Sequence, residues 1–169
     1  ELSPLATVLR PEDHDHPGLL RSAGRAAPCA AAKIFDADDL EVPLGHTGEI
    51  VARGGNVMLG YWNKPDETAN ALRNGWMHTG DAGYMDERGY VFLVDRKSNM
   101  IISGGENVYS TEVENALSRH PAVSACAVIG VPDETWGERV HAVVVLAERS
   151  SVTAEELRDF CKTQIAGYK

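Results

Sequence analysis

Proline and glycine residues divide the first part of the chain into short segments, and this spacing restricts the fold more than any other feature of the sequence. Four prolines and two glycines between residues 2 and 30 leave no room for a long helix or strand, so this stretch is predicted to be mostly loop. From Ala31 onward, apolar segments alternate with turn residues, which predicts strands at 31–35, 48–53 and 90–94. The first part of the chain is therefore expected to be rich in short strands.

One short helix is predicted among these strands. Pro65 suits the first position of a helix, and the acidic residues Asp66 and Glu67 suit the positive end of its dipole. The pattern predicts a helix at 66–72, and Gly75 is expected to end it.

Helical periodicity becomes stronger after Ser98. Two Thr-x-x-Glu segments, at 111–114 and 153–156, have the form of a capping box, and apolar residues follow each at helical spacing. Between the two predicted helices, a buried strand is predicted at 123–131 and another strand at 140–146. The apolar stripe of the second helix consists of Leu157, Phe160, Cys161 and Ile165.

The change from short strands to alternating helices and strands predicts a boundary at 96–98. We therefore predict an α+β fold in two parts. The part at 1–97 is strand-rich, and the part at 98–169 is a small α/β domain in which helices cover one face of a sheet.

Composition and charge argue against several classes of protein. Sixteen basic and 25 acidic residues give a net charge of -9, the wrong sign for binding nucleic acid through its phosphates. The longest apolar run, 122–131, is too short to span a bilayer, and the first residues lack a signal-peptide pattern. Cys29, Cys126 and Cys161 form no disulfide or zinc pattern, which favours the reducing cytoplasm. Glu1 at the first position suggests a piece of a longer protein, and no pattern indicates an oligomeric state.

Aspartate and histidine alternate at 13–16, a pattern that can occur in a metal site. No nearby residues complete a ligand set, and Pro17 and Gly18 favour a turn directly afterwards. A solvated loop is therefore the favoured interpretation of this segment.

The segment Thr79-Gly80-Asp81 predicts a turn that presents a carboxylate. A carboxylate can accept hydrogen bonds from two neighbouring hydroxyls, which is the arrangement of a ribose diol. Taken alone, however, Asp81 more often closes a turn, and Arg96 at a strand end more often forms a surface salt bridge.

A glycine pair, Gly104 and Gly105, lies in the segment 103–107. Glycine permits positive φ and close approach of a ligand to the backbone, but a tight turn needs the same property. Trp136, in the polar loop 132–138, presents a flat apolar face that can stack on a ligand or pack against the sheet. Both interpretations stay open from the residues alone.

Together, the order and spacing of these segments resemble those of the adenylate-forming acyl-CoA synthetase family, which also includes carrier-protein-loading adenylation domains and luciferases. The clearest matches are Gly-Trp-Met-His-Thr-Gly-Asp at 75–81 and Ile-Ile-Ser-Gly-Gly-Glu-Asn at 101–107. The remaining matches lie at 48–50, 60–65, 89–90, 95–97, 108–109, 112–114, 120–123, 130–133 and 136–138. The resemblance implies that residues 1–97 end a large N-terminal domain and that 98–169 belong to a mobile lid domain.

The resemblance also implies a site for ATP. Asp81 would bind the ribose hydroxyls, Arg96 would assist it, and Leu93 would line the nucleotide pocket as an apolar neighbour. Glu1 matches a glutamate that helps to bind Mg²⁺ near the phosphates.

A thiol site and a hinge are implied in the same way. Gly104, Gly105 and Trp136 match positions that border the channel for the pantetheine of CoA. Lys97 and Ser98 match the hinge between the two domains. At the position of Ser98, family members usually have Asp or Lys, whose charge serine lacks.

The reaction implied by the resemblance is activation of a carboxylic acid, fatty or aromatic, with ATP and transfer of the acyl group to CoA. CoA is favoured over a carrier protein because 101–107 differs from the Arg-Gly-x-Arg-Ile-Glu form of carrier-loading domains. A carrier-loading domain and a catalytically silent nucleotide-binding relative are the alternatives. The phosphate loop of the family is absent and Lys169 does not match its catalytic lysine, so the isolated chain is expected to be inactive in adenylation.

Overall fold

The computed structural model describes residues 1–169, which form two compact units, Glu1–Lys97 and Ser98–Lys169. Each unit contains one four-stranded sheet, and the helices are few and short. The predicted α+β class is confirmed. That the first unit ends a large domain and that the second is a mobile lid both stay predictions.

The first unit contains six strands and one α-helix. They are β1 (Thr7–Val8), β2 (Arg25–Ala26), β3 (Ala30–Phe35), β4 (Gly48–Gly54), α1 (Pro65–Ala71), β5 (Met77–Met85) and β6 (Val91–Arg96). The sheet has the antiparallel order β3-β4-β5-β6, and β1 pairs with β2 separately. Side chains alternate between the faces of a strand, so Ile50 and Val51 of β4 belong to two different apolar clusters.

Strand β5 corrects the predicted turn at Thr79–Asp81. These residues lie inside a strand of nine residues. Gly80 nevertheless has a φ of +74°, and the pairing register of β5 shifts against both of its neighbours. A bulge with a left-handed glycine needs the same residue as a turn, which is why the sequence pattern indicated a turn.

The stretch before β3 is mostly loop, as predicted, with short 3-10 turns at Pro11–Asp15 and Pro17–Leu19. The interpretation of 13–16 as a solvated loop is wrong for Asp13, which is 5% exposed. Its Oδ1 accepts a hydrogen bond of 2.7 Å from the hydroxyl of Tyr90, and this bond lowers the pKa of Asp13 and raises that of Tyr90. Asp13 therefore ties this loop to residues beside the sheet.

The second unit contains four strands and two α-helices. They are β7 (Met100–Ser103), β8 (Glu106–Tyr109), α2 (Ser110–Leu117), β9 (Val123–Asp133), β10 (Gly137–Leu146) and α3 (Ala154–Lys162). The antiparallel sheet has the order β8-β7-β10-β9. Its apolar core joins the helices to one sheet face through Ile101, Val108, Val113, Ala116, Leu117, Val128, Leu157 and Cys161.

Two predictions for the second unit are corrected, and one of its hairpins was not predicted. The Thr-x-x-Glu segment at 111–114 is not a capping box, because Tyr109 is the N-cap of α2 and Glu114 Oε1 instead accepts the amide of Val128 at 2.9 Å. Strand β9 is not buried along its length, since Val128 is its one buried residue. The hairpin of β7 and β8 was not predicted, because each of its strands is only four residues long.

The capping box of α3 is confirmed. Thr153 Oγ1 accepts the amide of Glu156, and the Glu156 carboxylate accepts the amide of Thr153. The stripe on α3 is also confirmed in part, because Leu157 and Cys161 are buried and Ile165 packs against them.

Replacing Thr153 with alanine is expected to lower the free energy of unfolding of the second unit by about 1 kcal/mol, because an amide at the helix start loses its acceptor. Chemical denaturation of the full-length protein measures the change. Ser151→Ala, at an exposed position outside the helix, is the matched control and should change stability much less. Equal effects of the two substitutions would contradict a stabilising cap.

The three cysteines are free thiols, and Cys29 alone is exposed. Burial raises the pKa of the Cys126 and Cys161 thiols, which disfavours the reactive thiolate. None of the helices has the length and apolar composition needed to cross a bilayer.

Candidate functional site

Asp81 and Arg96 are brought together by the pairing of β5 with β6. They are direct cross-strand partners, and Arg96 Nε lies 3.7 Å from Asp81 Oδ1. The Arg96 side chain is 77% exposed, so this ion pair is weak and both groups stay accessible to a ligand. The pair presents a carboxylate acceptor beside a guanidinium donor.

The backbone around Asp81 is fixed by side chains of neighbouring residues. The amide of Asp81 donates to Thr79 Oγ1 at 3.1 Å, and the Thr79 hydroxyl donates to the carbonyl of Ile50 at 2.7 Å. The amide of Gly80 donates to Glu49 Oε1 at 3.1 Å. The bulge in β5 is therefore attached to β4 at Thr79 and at Gly80.

Glu49, which no sequence pattern indicated as a site residue, is a buried carboxylate at the centre of a cluster of charged and polar side chains. It is 6% exposed, and its Oε2 lies 3.1 Å from His78 Nδ1, 3.1 Å from Lys97 Nζ and 3.4 Å from an Arg73 nitrogen. Burial alone would raise the pKa of Glu49, but the bonds from His78, Lys97 and Gly80 lower it below its ordinary value. The available sequence signal was an acidic residue directly before the apolar residues Ile50, Val51 and Ala52 of β4.

A second acidic residue, Asp39, extends this cluster. Arg73 makes two bonds of 3.0 Å to its carboxylate, and Asn74 donates to it at 2.9 Å. These bonds lower the pKa of Asp39, and the bond from Arg73 has the largest effect. Asp39 Oδ1 lies 3.8 Å from His78 Nε2, a buried atom that has no hydrogen-bond partner.

Glu1 lies on a cleft of about 450 Å³ in the first unit. Its carboxylate accepts a hydrogen bond from the hydroxyl of Tyr61, and its carbonyl accepts the amide of Met58 at 2.8 Å. His78, Thr79 and Gly80 also line this cleft. Glu1 therefore shares one cavity with the residues that directly precede Asp81.

The chain contains no group of three or more His, Cys, Asp or Glu residues arranged to hold a metal ion. Glu1 alone is still a chemically suitable partner for Mg²⁺, because this ion is commonly held by one or two carboxylates together with nucleotide phosphates and water. Leu93, the predicted apolar neighbour of the nucleotide, is an exposed residue of β6 that pairs with Gly83.

Gly104, Gly105 and Trp136 meet at the turn between β7 and β8. The amide of Gly104 donates to the carbonyl of Trp136 at 2.8 Å, and both glycines have positive φ, +60° and +84°. A Cβ atom at position 104 would lie 2.9 Å from the Trp136 ring. The indole is 57% exposed, so it is not a core residue and one side of it is open to a ligand.

The residues of the predicted hinge lie at the boundary of the two units. Lys97 is the last residue of the first unit and Ser98 is the first of the second. A short 3-10 turn covers Lys97–Asn99, and the Ser98 hydroxyl is 3.4 Å from Asn99 Oδ1. The stronger contact is the bond from Lys97 to the buried Glu49.

Two family models match the chain. The model described as AMP-binding enzyme matches residues 1–62, and that described as AMP-binding enzyme C-terminal domain matches residues 112–169.

Relatives with similar sequences include CoA ligases and a carrier-protein ligase. A feruloyl-CoA synthase from Amycolatopsis sp is 56% identical over 128 residues, which is 76% of this chain and 26% of that protein. A long-chain-fatty-acid–CoA ligase from Escherichia coli is 46% identical over 170 residues, 100% of this chain and 29% of the relative. A fatty acid–[acyl-carrier-protein] ligase from Streptomyces coeruleorubidus is 44% identical over 165 residues, which is 97% of this chain and 32% of that protein.

Among solved structures, o-succinylbenzoate CoA synthetase from Bacillus subtilis, in complex with its acyl-adenylate intermediate, is similar to this chain with a TM-score of 0.82. The identity is 40%, and the match covers 96% of this chain and 33% of that structure. The chain thus spans about a third or less of the length of the proteins it matches.

Proposed function

Because the chain belongs to the family of AMP-binding enzymes, we propose that the full-length protein is an acyl-CoA synthetase acting on a fatty or aromatic carboxylic acid. In the first half-reaction, the substrate carboxylate attacks the α-phosphorus of ATP, and pyrophosphate leaves to give acyl-AMP. In the second half-reaction, the thiol of CoA attacks the acyl carbonyl, loses its proton and displaces AMP, which gives the thioester.

The Asp81–Arg96 pair is the main support for this proposal. Asp81 would accept hydrogen bonds from the 2′ and 3′ hydroxyls of the ribose, and Arg96 would contribute a neighbouring cation. The bonds at the Gly80 bulge hold the backbone at Asp81, so little ordering of this backbone is needed on binding, which favours affinity. Leu93 would add an apolar contact on the same strand as Arg96.

Glu1 is the proposed protein ligand of Mg²⁺. When bound, the ion would neutralise charge on the phosphates of ATP. Glu1 is exposed on its cleft and would position its carboxylate through the bond from Tyr61. This bond raises the pKa of Tyr61, so the phenol stays protonated and keeps donating to Glu1.

The turn at Gly104 and Gly105 is proposed to border the path of the pantetheine thiol, with Lys97 and Ser98 as the hinge. The half-exposed indole of Trp136 would contact the apolar part of pantetheine. Gly105 has open space around the position of a Cβ atom, which leaves room for a ligand beside the backbone.

Measuring AMP release by the full-length protein tests the function directly. With ATP and Mg²⁺, a panel of fatty and aromatic acids is assayed with and without CoA. We expect acyl-AMP with a suitable acid alone, and sustained AMP release only when CoA is added. Formation of no acyl-AMP with any acid in the panel would contradict the proposal and favour a silent nucleotide-binding relative.

A carrier-protein ligase is the second candidate, because one relative of 44% identity has that activity. The same assay separates the two candidates by the acceptor. Sustained AMP release with a phosphopantetheinylated carrier protein, and not with CoA, would identify the second.

A further inference from the structure

The carboxylate of Glu49 connects several separate points of the first unit. Its Oε1 accepts the amide of Gly80 at 3.1 Å. Its Oε2 accepts from His78 Nδ1 and Lys97 Nζ, both at 3.1 Å, and from Arg73 at 3.4 Å. A buried carboxylate is costly unless it is paired and hydrogen-bonded, so these contacts constrain their donors as well as the acid.

Two of these donors are sequence neighbours of the proposed nucleotide ligands. Gly80 directly precedes Asp81, and Lys97 directly follows Arg96. Asp81 and Arg96 are themselves cross-strand partners. A shift of the Glu49 carboxylate would therefore act on the β5 backbone beside Asp81 and on the Lys97 side chain beside Arg96.

We propose that Glu49 is a positioning residue for nucleotide binding: one carboxylate oxygen holds the β5 bulge beside Asp81, and the other holds Lys97 beside Arg96. Glu49 does not touch the nucleotide in this proposal, which rests on the proposed function. It sets the separation and direction of the two groups that do.

A double-mutant cycle separates positioning from a general effect on folding. If Glu49 acts through Asp81, its loss should matter little once the Asp81 carboxylate is gone, so the two effects should not add. A purely structural role predicts independent effects, which multiply.

The cycle is measured in the full-length protein with Glu49→Gln, Asp81→Asn and the double variant. Glu49→Gln is expected to raise the KM for ATP about tenfold, because its amide cannot accept from all four donors. The turnover number for acyl-AMP formation should change about twofold or less. The KM of the double variant should exceed that of Asp81→Asn by about threefold at most, which is the share that acts through Lys97 and Arg96.

Glu41→Gln is the matched control, because it neutralises an exposed glutamate of the same unit that pairs only with Lys33. It should leave the KM for ATP unchanged. An unchanged KM in Glu49→Gln, or multiplicative effects in the double variant, would overturn the inference.

Lys97→Met provides the test if Glu49→Gln fails to fold. The Lys97 side chain is 44% exposed, and its removal leaves the other donors on Glu49, so the fold should survive. We expect a roughly threefold higher KM for ATP in a protein that stays folded, with a modest loss of melting temperature because Glu49 loses one of its four donors. An unchanged KM in this variant would overturn the inference.

The outcome also distinguishes this inference from the proposed function. If Asp81→Asn raises the KM for ATP and neither Glu49→Gln nor Lys97→Met does, the positioning role alone is wrong. If the unaltered protein forms no acyl-AMP, or Asp81→Asn has no effect on the KM for ATP, the proposed site is wrong and the positioning role fails with it.

Discussion

Replacing Asp81 with alanine in the full-length protein is expected to raise the KM for ATP roughly ten- to a hundredfold. The substitution removes the acceptor for the ribose hydroxyls, and a hydrogen bond to a charged group contributes about 1.5 to 3 kcal/mol. The fold should be preserved, because the side chain of Asp81 is partly exposed and its 3.7 Å ion pair with Arg96 is weak. Initial rates of acyl-AMP formation at varied ATP concentrations measure the effect.

Two further variants test whether the change in KM comes from the Asp81 carboxylate itself. Asp81→Asn keeps one acceptor oxygen and loses the charge, so its KM should fall between those of the unaltered protein and Asp81→Ala. Asp38→Ala removes an exposed carboxylate from a turn of the same unit and should leave the KM unchanged. A normal KM for ATP in a folded Asp81→Ala protein would exclude the ribose contact.

The elements that were predictable from sequence are those whose cause is local. Strands β3 and β4 follow from short, largely apolar segments between turn residues, and α3 follows from a complete capping box with an apolar stripe. In each case the residues that define the element lie within a few positions of one another. Neighbouring parts of the chain add packing but do not change the assignment.

The errors arise where a distant partner decides the role of a residue. Glu114 lies in a segment that looks like a capping box, but the amide of Val128 on β9 uses its carboxylate instead. Asp13 lies in a polar loop, but the hydroxyl of Tyr90 makes it a buried acceptor. Propensity within a short window does not contain these pairings, which depend on the folded sheet.

In the candidate site, too, some features are local in sequence and others depend on distant partners. Asp81 and Arg96 could be named from the sequence, but their direct pairing depends on the register of β5 with β6. Gly104 and Trp136 are separated along the chain and meet because β10 pairs with β7 next to the turn. Glu49 was missed because its importance lies in four contacts made by residues distant in sequence.

Replacing Gly104 with alanine is expected to slow thioester formation ten- to a hundredfold and leave acyl-AMP formation within about twofold. The new Cβ atom would lie 2.9 Å from the ring of Trp136, too close for a stable contact, so the half-exposed indole must move. The substitution also places a side chain at a φ of +60°, which costs about 1 to 2 kcal/mol of stability. Single-turnover assays measure the rates of acyl-AMP formation and thioester formation separately.

Gly105→Ala separates the two causes, because Gly105 has a similar positive φ of +84° but no atom near the position of a Cβ. Its stability should fall as in Gly104→Ala, since the backbone cost is alike, while thioester formation should slow much less because Trp136 is not displaced.

A combined Gly104→Ala and Trp136→Ala variant removes the clash and tests the indole itself. If pantetheine contacts the ring, the combined variant remains slow. If Gly104→Ala and Gly105→Ala slow thioester formation equally, the indole is not part of the thiol path and the turn matters only for backbone conformation.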